Sequence, residues 1–136
     1  MTLDLSIIFI LTFQAIAYGT KSIIDQLVKH GHKIDQVAIC GGLAKSQLFI
    51  QTHADVLDLR VIQPMEPESV LLGSAILASA AAKAETGNSL KDALKAMQGS
   101  YHVFQPNPST KSYHQKKYAV FNELIQSQLK CRELMK

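Results

Sequence analysis

The residues best placed to do chemistry lie where an apolar run ends in two consecutive glycines. Residues 37–46 read VAICGGLAKS, so a predicted buried strand meets Gly41-Gly42 and a predicted helix begins just beyond. Paired glycines permit unusual backbone angles and carry no Cβ, so a ligand can approach the main chain. The N-terminus of the following helix directs free N–H groups and the positive end of its dipole towards that ligand. This arrangement suits a nucleotide, and a plain tight turn is the alternative.

Neither of the two best-known phosphate-binding signatures occurs in the sequence. The pattern GxxxxGK[ST] of the P-loop is absent, and so is the GxGxxG pattern of dinucleotide-binding turns. Any binding role of the glycine pair therefore depends on its place between a strand and a helix.

The elements that would hold this stretch alternate between helical and extended patterns. The chain has 136 residues, which allows one domain. Its composition, 47% apolar and 18% charged, excludes disordered, collagen-like and disulfide-scaffold classes. Helices are predicted from about Leu3 to His30 and over Ala44–Leu57, Pro67–Lys83, Leu90–Met97 and Thr110–Met135, and strands over Ile34–Cys40 and Arg60–Ile62. This order indicates the α/β class.

The predicted sheet is small. Two strands are predicted, with Gly99–Pro108 as a loop, and two strands do not make an independent sheet. Cys40, at the end of the first strand, is expected to be a small core residue. The helix that follows has a predicted apolar face of Leu48, Phe49, Ala54 and Leu57.

The first helix is the most apolar part of the chain, and residues 3–18 read LDLSIIFILTFQAIAY. A membrane span needs about 20 apolar residues, and this segment is shorter and contains four polar side chains. It also lacks the cations that precede the apolar core of a signal peptide. A core helix is therefore favoured, and a secreted or membrane-attached protein is the alternative. Because residues 7–11 are apolar in every direction, we expect self-association or binding of a partner chain through this helix.

The distribution of charge and the spacing of the cysteines indicate which binding partners and which cellular compartment to expect. The formal net charge is +3, of which residues 101–136 carry +4 and the rest −1. The basic C-terminal helix has an apolar stripe, which favours docking on the body over nucleic-acid binding. Cys40 and Cys131 have no CxxC spacing, which is typical of reduced thiols in a cytoplasmic protein, and no metal site is predicted. The stripe comprises Tyr118, Phe121, Leu124, Ile125 and Leu129.

The glycine pair lies within a much longer pattern that carries a resemblance. Residues 40–82, CGGLAKSQLFIQTHADVLDLRVIQPMEPESVLLGSAILASAAA, closely resemble the C-terminal domain of FGGY-family carbohydrate kinases, most of all the ribulokinase-like subgroup. The segments AIAYGTKSIIDQL and SYHQKKYAVFNELI extend the resemblance from about Leu5 to Leu134. It implies a partial, helix-rich RNase H-like domain of the actin/hexokinase-like ATPase fold, with few strands. That single domain would occupy residues 1–136, with 109–136 as a C-terminal helix.

The resemblance also implies an activity. Members of the family phosphorylate sugars or polyols with ATP and Mg²⁺, and the subgroup implies a pentulose. The nucleotide-binding residues implied by the alignment are Gly41, Gly42, Leu43, Lys45 and Ser46, with Ala44 beside them. Ser46 stands where the family usually has an Asn near the adenine. The serine side chain is shorter and has one hydroxyl, whereas an amide carries a separate donor group and acceptor group.

Other parts of the family's machinery are expected to be missing from this chain. Family members are several-fold longer, and their sugar site, phosphate loop and catalytic-base Asp would all precede Leu5. Such a base orients the attacking hydroxyl in phosphoryl transfer. Asp4 and Asp25 do not sit in that context, so no catalytic residue is assigned. Two interpretations stay open: the nucleotide-binding portion of a pentulose kinase, inactive in isolation, or a non-catalytic binding or regulatory module derived from one.

Overall fold

The computed structural model describes residues 4–82 and 90–136, which form five α-helices and one three-stranded sheet. The helices are α1 (Leu5–Lys29), α2 (Gln47–Leu57), α3 (Ser69–Ala82), α4 (Leu90–Met97) and α5 (Lys111–Leu134). The strands are β1 (Gln36–Ala38), β2 (Arg60–Pro64) and β3 (Tyr101–Phe104). This order confirms the α/β class. The predicted end of the third helix at Lys83 lies outside the described residues.

Local sequence explains where the first two helices begin and end. Asp4 caps α1 by accepting a hydrogen bond from the Ser6 N–H at 3.1 Å. The helix ends at Lys29 with His30 as its C-cap, and Gly31 follows with φ +89°, as the sequence predicts. The prediction of one helix from Ala44 is wrong, because a separate 3-10 turn covers Gly42–Lys45. Ser46 separates the turn from α2, and its Oγ accepts the Phe49 N–H at 3.3 Å.

The sheet has three strands in the order β1-β2-β3, so the expectation of two strands is wrong. β1 and β2 are parallel, with Val37 opposite Val61, while β2 and β3 are antiparallel, with Val61 opposite Phe104. The segment Tyr-His-Val-Phe of β3 is rich in strand-forming residues. The glycine and prolines around it are typical of a loop, and only its pairing with β2 makes it a strand.

Two expectations about core residues are also wrong. The first strand pairs only over Gln36–Ala38, so Cys40 lies beyond the ladder and is exposed rather than in the core. Leu48 is 49% exposed and therefore does not belong to the buried faces of α2. Phe49, Ala54 and Leu57 are buried as predicted.

The core forms on two sides of α2. On one side Ile50 and Ala54 pack against Val61 of β2, and all three have 0% exposure. On the other side Val56 packs against Ala17 and Tyr18 of α1. The Phe13 and Phe49 rings add an edge-to-face contact with centroids 5.1 Å apart. Consequently α2 lies between the sheet and α1.

The C-terminal helix α5 docks on α1 through aromatic and polar side chains. The Tyr18 hydroxyl and Nδ1 of the buried His114 share a hydrogen bond of 2.9 Å, and Tyr118 donates its hydroxyl to Asp25 at 2.7 Å. Phe121 packs on Tyr18 with ring centroids 5.7 Å apart. The predicted stripe therefore docks with its first half, while Leu124 and Leu129 remain 61% and 40% exposed.

The first half of α1 is largely uncovered. Its five apolar positions from Ile7 to Leu11 are 40–55% exposed, which confirms that the described chain covers one side of this helix. The expectation that the segment is too short to span a membrane is wrong, because the helix continues to Lys29. By length and composition α1 could cross a membrane, and a signal sequence or a core helix of a soluble protein would meet the same description.

Two buried histidines make the stability of this fold depend on pH. Burial lowers the pKa of His53, whose Nδ1–H donates to the Phe49 carbonyl at 2.9 Å. Burial also lowers the pKa of His114, with Lys117 acting in the same direction and Asp55 opposing it. The unfolded chain takes up these protons near the ordinary pKa of about 6.5, whereas the folded chain does so only at lower pH.

We therefore expect a free energy of unfolding that is fully retained above about pH 6.5 and falls as the pH drops below it. Urea unfolding at pH 7.5 and pH 5.5, followed by circular dichroism, measures this difference. The double variant His53→Gln/His114→Gln should flatten the profile, whatever its stability at pH 7.5. An equal slope in the native chain and the double variant would contradict this assignment.

Candidate nucleotide-binding site

A small cleft opens where the two parallel strands end. The chain leaves β1 through Ile39–Gly41 and leaves β2 through Pro64–Pro67, and a cavity of about 90 Å³ lies between the two exits. The carboxyl ends of neighbouring parallel strands are the usual place for a ligand in open α/β sheets. The cavity is lined by Ile39, Cys40, Gly41, Ala44, Lys45, Gln63, Pro64, Met65, Glu66, Pro67 and Ser69.

The glycine pair forms the turn on one side of this cleft, and its two members differ in role. Gly41 has φ +91° and ψ −167°, a conformation that is essentially restricted to glycine. Its carbonyl accepts the Ala44 N–H at 3.1 Å, which closes the turn. Gly42 has no such angle, and a Cβ added at either glycine would meet nothing within 4 Å. Packing therefore does not require glycine at Gly42, and the open space there leaves the main chain accessible to a ligand.

Gln63 fixes the turn to the second strand. Its Nε2 donates a hydrogen bond of 2.7 Å to the carbonyl of Ala44, which is itself buried. Gln63 is not among the site residues predicted from the sequence. The available signal was its position near the end of the second parallel strand, at the same sheet edge as the glycine pair.

The charges at the cleft are one cation and one carboxylate. Lys45 is exposed and, among the described residues, has no ion-pair partner. Glu66 accepts the Glu68 N–H at 2.9 Å through its own carboxylate. A free lysine beside a glycine turn suits a phosphate, since charge-assisted hydrogen bonds to anions are the strong ones.

The donor set of the cleft does not form a metal site. Within residues 4–82 and 90–136, no group of three His, Cys, Asp or Glu side chains could hold an ion. Mg²⁺ prefers six oxygen ligands and often binds through one or two carboxylates together with substrate phosphates. Glu66 is the carboxylate that lines this cavity, so the residues present do not fit a resident Mg²⁺.

The expected nucleotide-binding residues lie in one turn or directly next to it, and they differ in exposure and in whether they line the cavity. Gly41 and Lys45 line the cavity. Gly42 and Leu43 belong to the same turn and are exposed, and neither lines the cavity. Ser46 is half-buried and uses its hydroxyl to cap α2. Exposed Cys40 joins the cavity wall, which the sequence analysis did not foresee.

A comparison with known sequences decides the family. The pattern of the FGGY family of carbohydrate kinases, C-terminal domain, matches residues 1–82. The chain belongs to this family. Over 132 residues it is 40% identical to an FGGY carbohydrate kinase domain-containing protein of Danio rerio, covering 97% of this chain and 24% of the relative. It is 30% identical to a ribulokinase of Geobacillus thermodenitrificans over 115 residues, covering 82% of this chain and 20% of that enzyme.

Solved structures share the fold of this chain. A xylulose kinase from Lactobacillus acidophilus superposes with a TM-score of 0.70 at 22% identity, over 85% of this chain and 23% of that one. This likeness confirms the expected fold, part of the actin/hexokinase-like ATPase fold of FGGY kinases. The chain spans about a quarter of the length of the curated relatives that it matches.

The different roles of the two glycines can be separated by substitution. Gly41→Ala should lower the free energy of unfolding by about 1–3 kcal/mol, because alanine is strained at these angles. Gly42→Ala is the matched control and should change it by less than about 0.5 kcal/mol, since the added methyl group meets open space. Urea unfolding of both variants tests this. Equal losses at the two positions would contradict the turn geometry.

Proposed function

We propose that this chain supplies the adenosine-side wall of the ATP site of an FGGY sugar kinase, in which a sugar hydroxyl is phosphorylated. The observation that carries the proposal is the open Gly41-Gly42 turn at the carboxyl end of β1, in which Gly41 lines a cleft beside Lys45 and Gly42 is exposed next to it. ATP is the family's phosphoryl donor, and the relatives named ribulokinase favour a pentulose as acceptor.

The residues of the cleft fit a nucleotide by chemistry as well as position. The glycine turn leaves main-chain atoms accessible. The N-terminus of α2 lies beyond the turn, is capped by Ser46 and does not line the cleft, so the expected contribution of this helix dipole is not part of the site. Lys45 contributes an unpaired positive charge at the cleft. Gln63 holds the turn in place before any ligand arrives, because its bond to Ala44 lies within the protein. A preorganised turn of this kind lowers the cost of binding.

Sugar phosphorylation needs a catalytic base in addition to a bound nucleotide. Asp4 is used as the cap of α1, and Asp25 accepts from Tyr118 and pairs with Lys21 at 3.5 Å. Neither carboxylate lines the cleft, so neither is available as a base for a sugar bound there. We therefore propose that this stretch does not phosphorylate sugars in isolation and binds ATP weakly, because it forms one wall of the site.

The second candidate is a non-catalytic binding or regulatory module derived from a sugar kinase. The same structural use of Asp4 and Asp25 favours it for the chain in isolation. A cytoplasmic location is part of both proposals, because both cysteines are free and exposed thiols.

Nucleotide binding can be tested with the two cysteines. Cys40 lines the cleft, whereas Cys131 is exposed on α5 and does not line it, so the chain contains its own matched control. Saturating ATP should slow alkylation of Cys40 by iodoacetamide several-fold and leave Cys131 unchanged. Mass spectrometry of the two peptides over time measures both rates.

Substitution of Gly42 tests whether the protection of Cys40 comes from ATP bound at the turn or from another effect of ATP. Gly42→Asp adds a negative charge to the exposed side of the turn, next to the cleft, so it should repel ATP and abolish the protection of Cys40. Equal rates at Cys40 with and without millimolar ATP in the unmodified chain would reject the nucleotide site.

A further inference from the structure

Two buried histidines use the same ring nitrogen in opposite ways. Nδ1 of His53 lies 2.9 Å from the carbonyl oxygen of Phe49, which can only accept, so this nitrogen carries a hydrogen and donates it. Nδ1 of His114 lies 2.9 Å from the hydroxyl of Tyr18, a group that both donates and accepts. Which of these two groups donates decides how the contact responds to protonation of the ring.

The surroundings of Tyr18 assign the hydrogen of this bond. Tyr18 is 3% exposed, and within residues 4–82 and 90–136 its hydroxyl has His114 as its hydrogen-bond partner and no other. Burial raises the pKa of Tyr18 to about 12, so the hydroxyl keeps its hydrogen near neutral pH. If Nδ1 donated, that buried hydrogen would have no acceptor, which is costly. Tyr18 is therefore the donor, and neutral His114 carries its own hydrogen on Nε2.

Protonation consequently acts differently on the two rings. His53 takes up a proton at Nε2, so the bond from its Nδ1–H to Phe49 is retained. His114 takes up a proton at Nδ1, because its Nε2 already carries a hydrogen. The lone pair that accepts from Tyr18 is then lost, and the buried hydroxyl hydrogen is left without an acceptor.

His114 is also the residue by which the C-terminal helix enters the core. It is the one buried residue of α5, a helix that the structure describes in full. The contacts on either side of it are more open to solvent. Lys111 pairs with Asp58 at an exposed position, and Tyr118 donates to a half-buried Asp25. Ion pairs at the surface contribute little to stability, so loss of the buried contact weakens the docking of α5 most.

The titratable groups around His114 come from every helix packed against it. Asp55 favours the charged ring and Lys117 opposes it, but burial is the largest effect and lowers the pKa of His114. Proton uptake therefore favours a released helix over a docked one. These groups are Tyr18 and Lys21 on α1, Asp55 and Asp58 at the end of α2, and Lys111, Tyr113 and Lys117 on α5.

We propose that Tyr18 and His114 form a pH-sensitive latch, in which protonation of His114 at Nδ1 releases α5 from α1 and α2. The latch is independent of the proposed nucleotide site, since neither residue lines that cleft. The released ring takes up its proton near pH 6.5, so the ratio of released to docked helix should rise up to tenfold between pH 7.5 and pH 5.5. An isolated helix of this length is marginal in water, so release exposes its amides to exchange.

Hydrogen exchange of the full 136-residue chain at pH 7.5, 6.5 and 5.5 tests the latch. Protection factors are compared, because they remove the effect of pH on intrinsic exchange. The protection of amides 114–125 should fall several-fold, up to tenfold, between pH 7.5 and pH 5.5. At each pH these amides should be less protected than those of Ile50 and Ala54 in α2, because α5 leaves before the chain unfolds.

Three variants separate the latch from other effects of pH. His114→Asn keeps an amide oxygen that can accept from Tyr18 but does not titrate, so the protection of α5 should become independent of pH. His53→Gln is the matched control, since it removes the other buried histidine and should leave the pH dependence of α5 unchanged. Tyr18→Phe keeps the ring packing and removes the hydroxyl. It should lower the protection of α5 at pH 7.5 and reduce its pH dependence, and it tests the latch if His114→Asn does not fold.

Three results would overturn the proposal. The first is a pH dependence of α5 protection that is the same in His114→Asn and in the unmodified chain. The second is equal protection of α5 and α2 at every pH, because α5 would then leave only when the whole chain unfolds. The third is an unchanged pH profile in Tyr18→Phe, which would assign the effect to burial of the His114 ring alone.

Discussion

The burial of α2 on two opposite sides is the constraint on which the rest of this structure depends. Ile50 and Ala54 are closed off by the sheet, and Val56 is closed off by α1. Full burial of a side chain such as Ile50 is worth about 1.5–3 kcal/mol relative to exposure. Since the glycine turn leads directly into this helix, anchoring α2 also fixes the turn relative to the two parallel strands. The cleft is thus a consequence of core packing.

Local signals in the sequence locate the end of α1 and the glycine turn, although they do not separate the 3-10 turn over Gly42–Lys45 from α2. The Gly31 cap ended α1 where expected, and the glycine pair fell between a strand and a helix. Non-local contacts were not accessible in this way. β3 is a strand because β2 offers it a ladder, and Gln63 belongs to the site because its side chain reaches Ala44, 19 positions away. Neither contact can be predicted from the residues that are adjacent in the sequence to β3 or to Gln63.

Cys40 shows how a small error in strand length changes the interpretation of a residue. Periodicity extended the first strand to this position, which made it an apparent core residue. The ladder ends at Ala38, and Cys40 instead lines the cleft.

Family membership is established by a pattern over residues 1–82, whereas the site depends on atoms that the pattern does not specify. A glycine turn, an exposed lysine and a positioning glutamine fit the proposed nucleotide binding, and the carboxylate that lines the cavity, Glu66, accepts the Glu68 N–H.

The most direct test of the central claim, that the glycine turn is a nucleotide-contacting element, is a titration followed by amide chemical shifts. ATP added to the ¹⁵N-labelled chain should shift the amides of residues 39–45 and of Gln63, Met65 and Glu66, while those of the last turns of α5 stay fixed. Loss of the shifts around Gly42 in the Gly42→Asp variant would tie them to the turn. Shifts confined to α5, or none at millimolar ATP, would contradict the account.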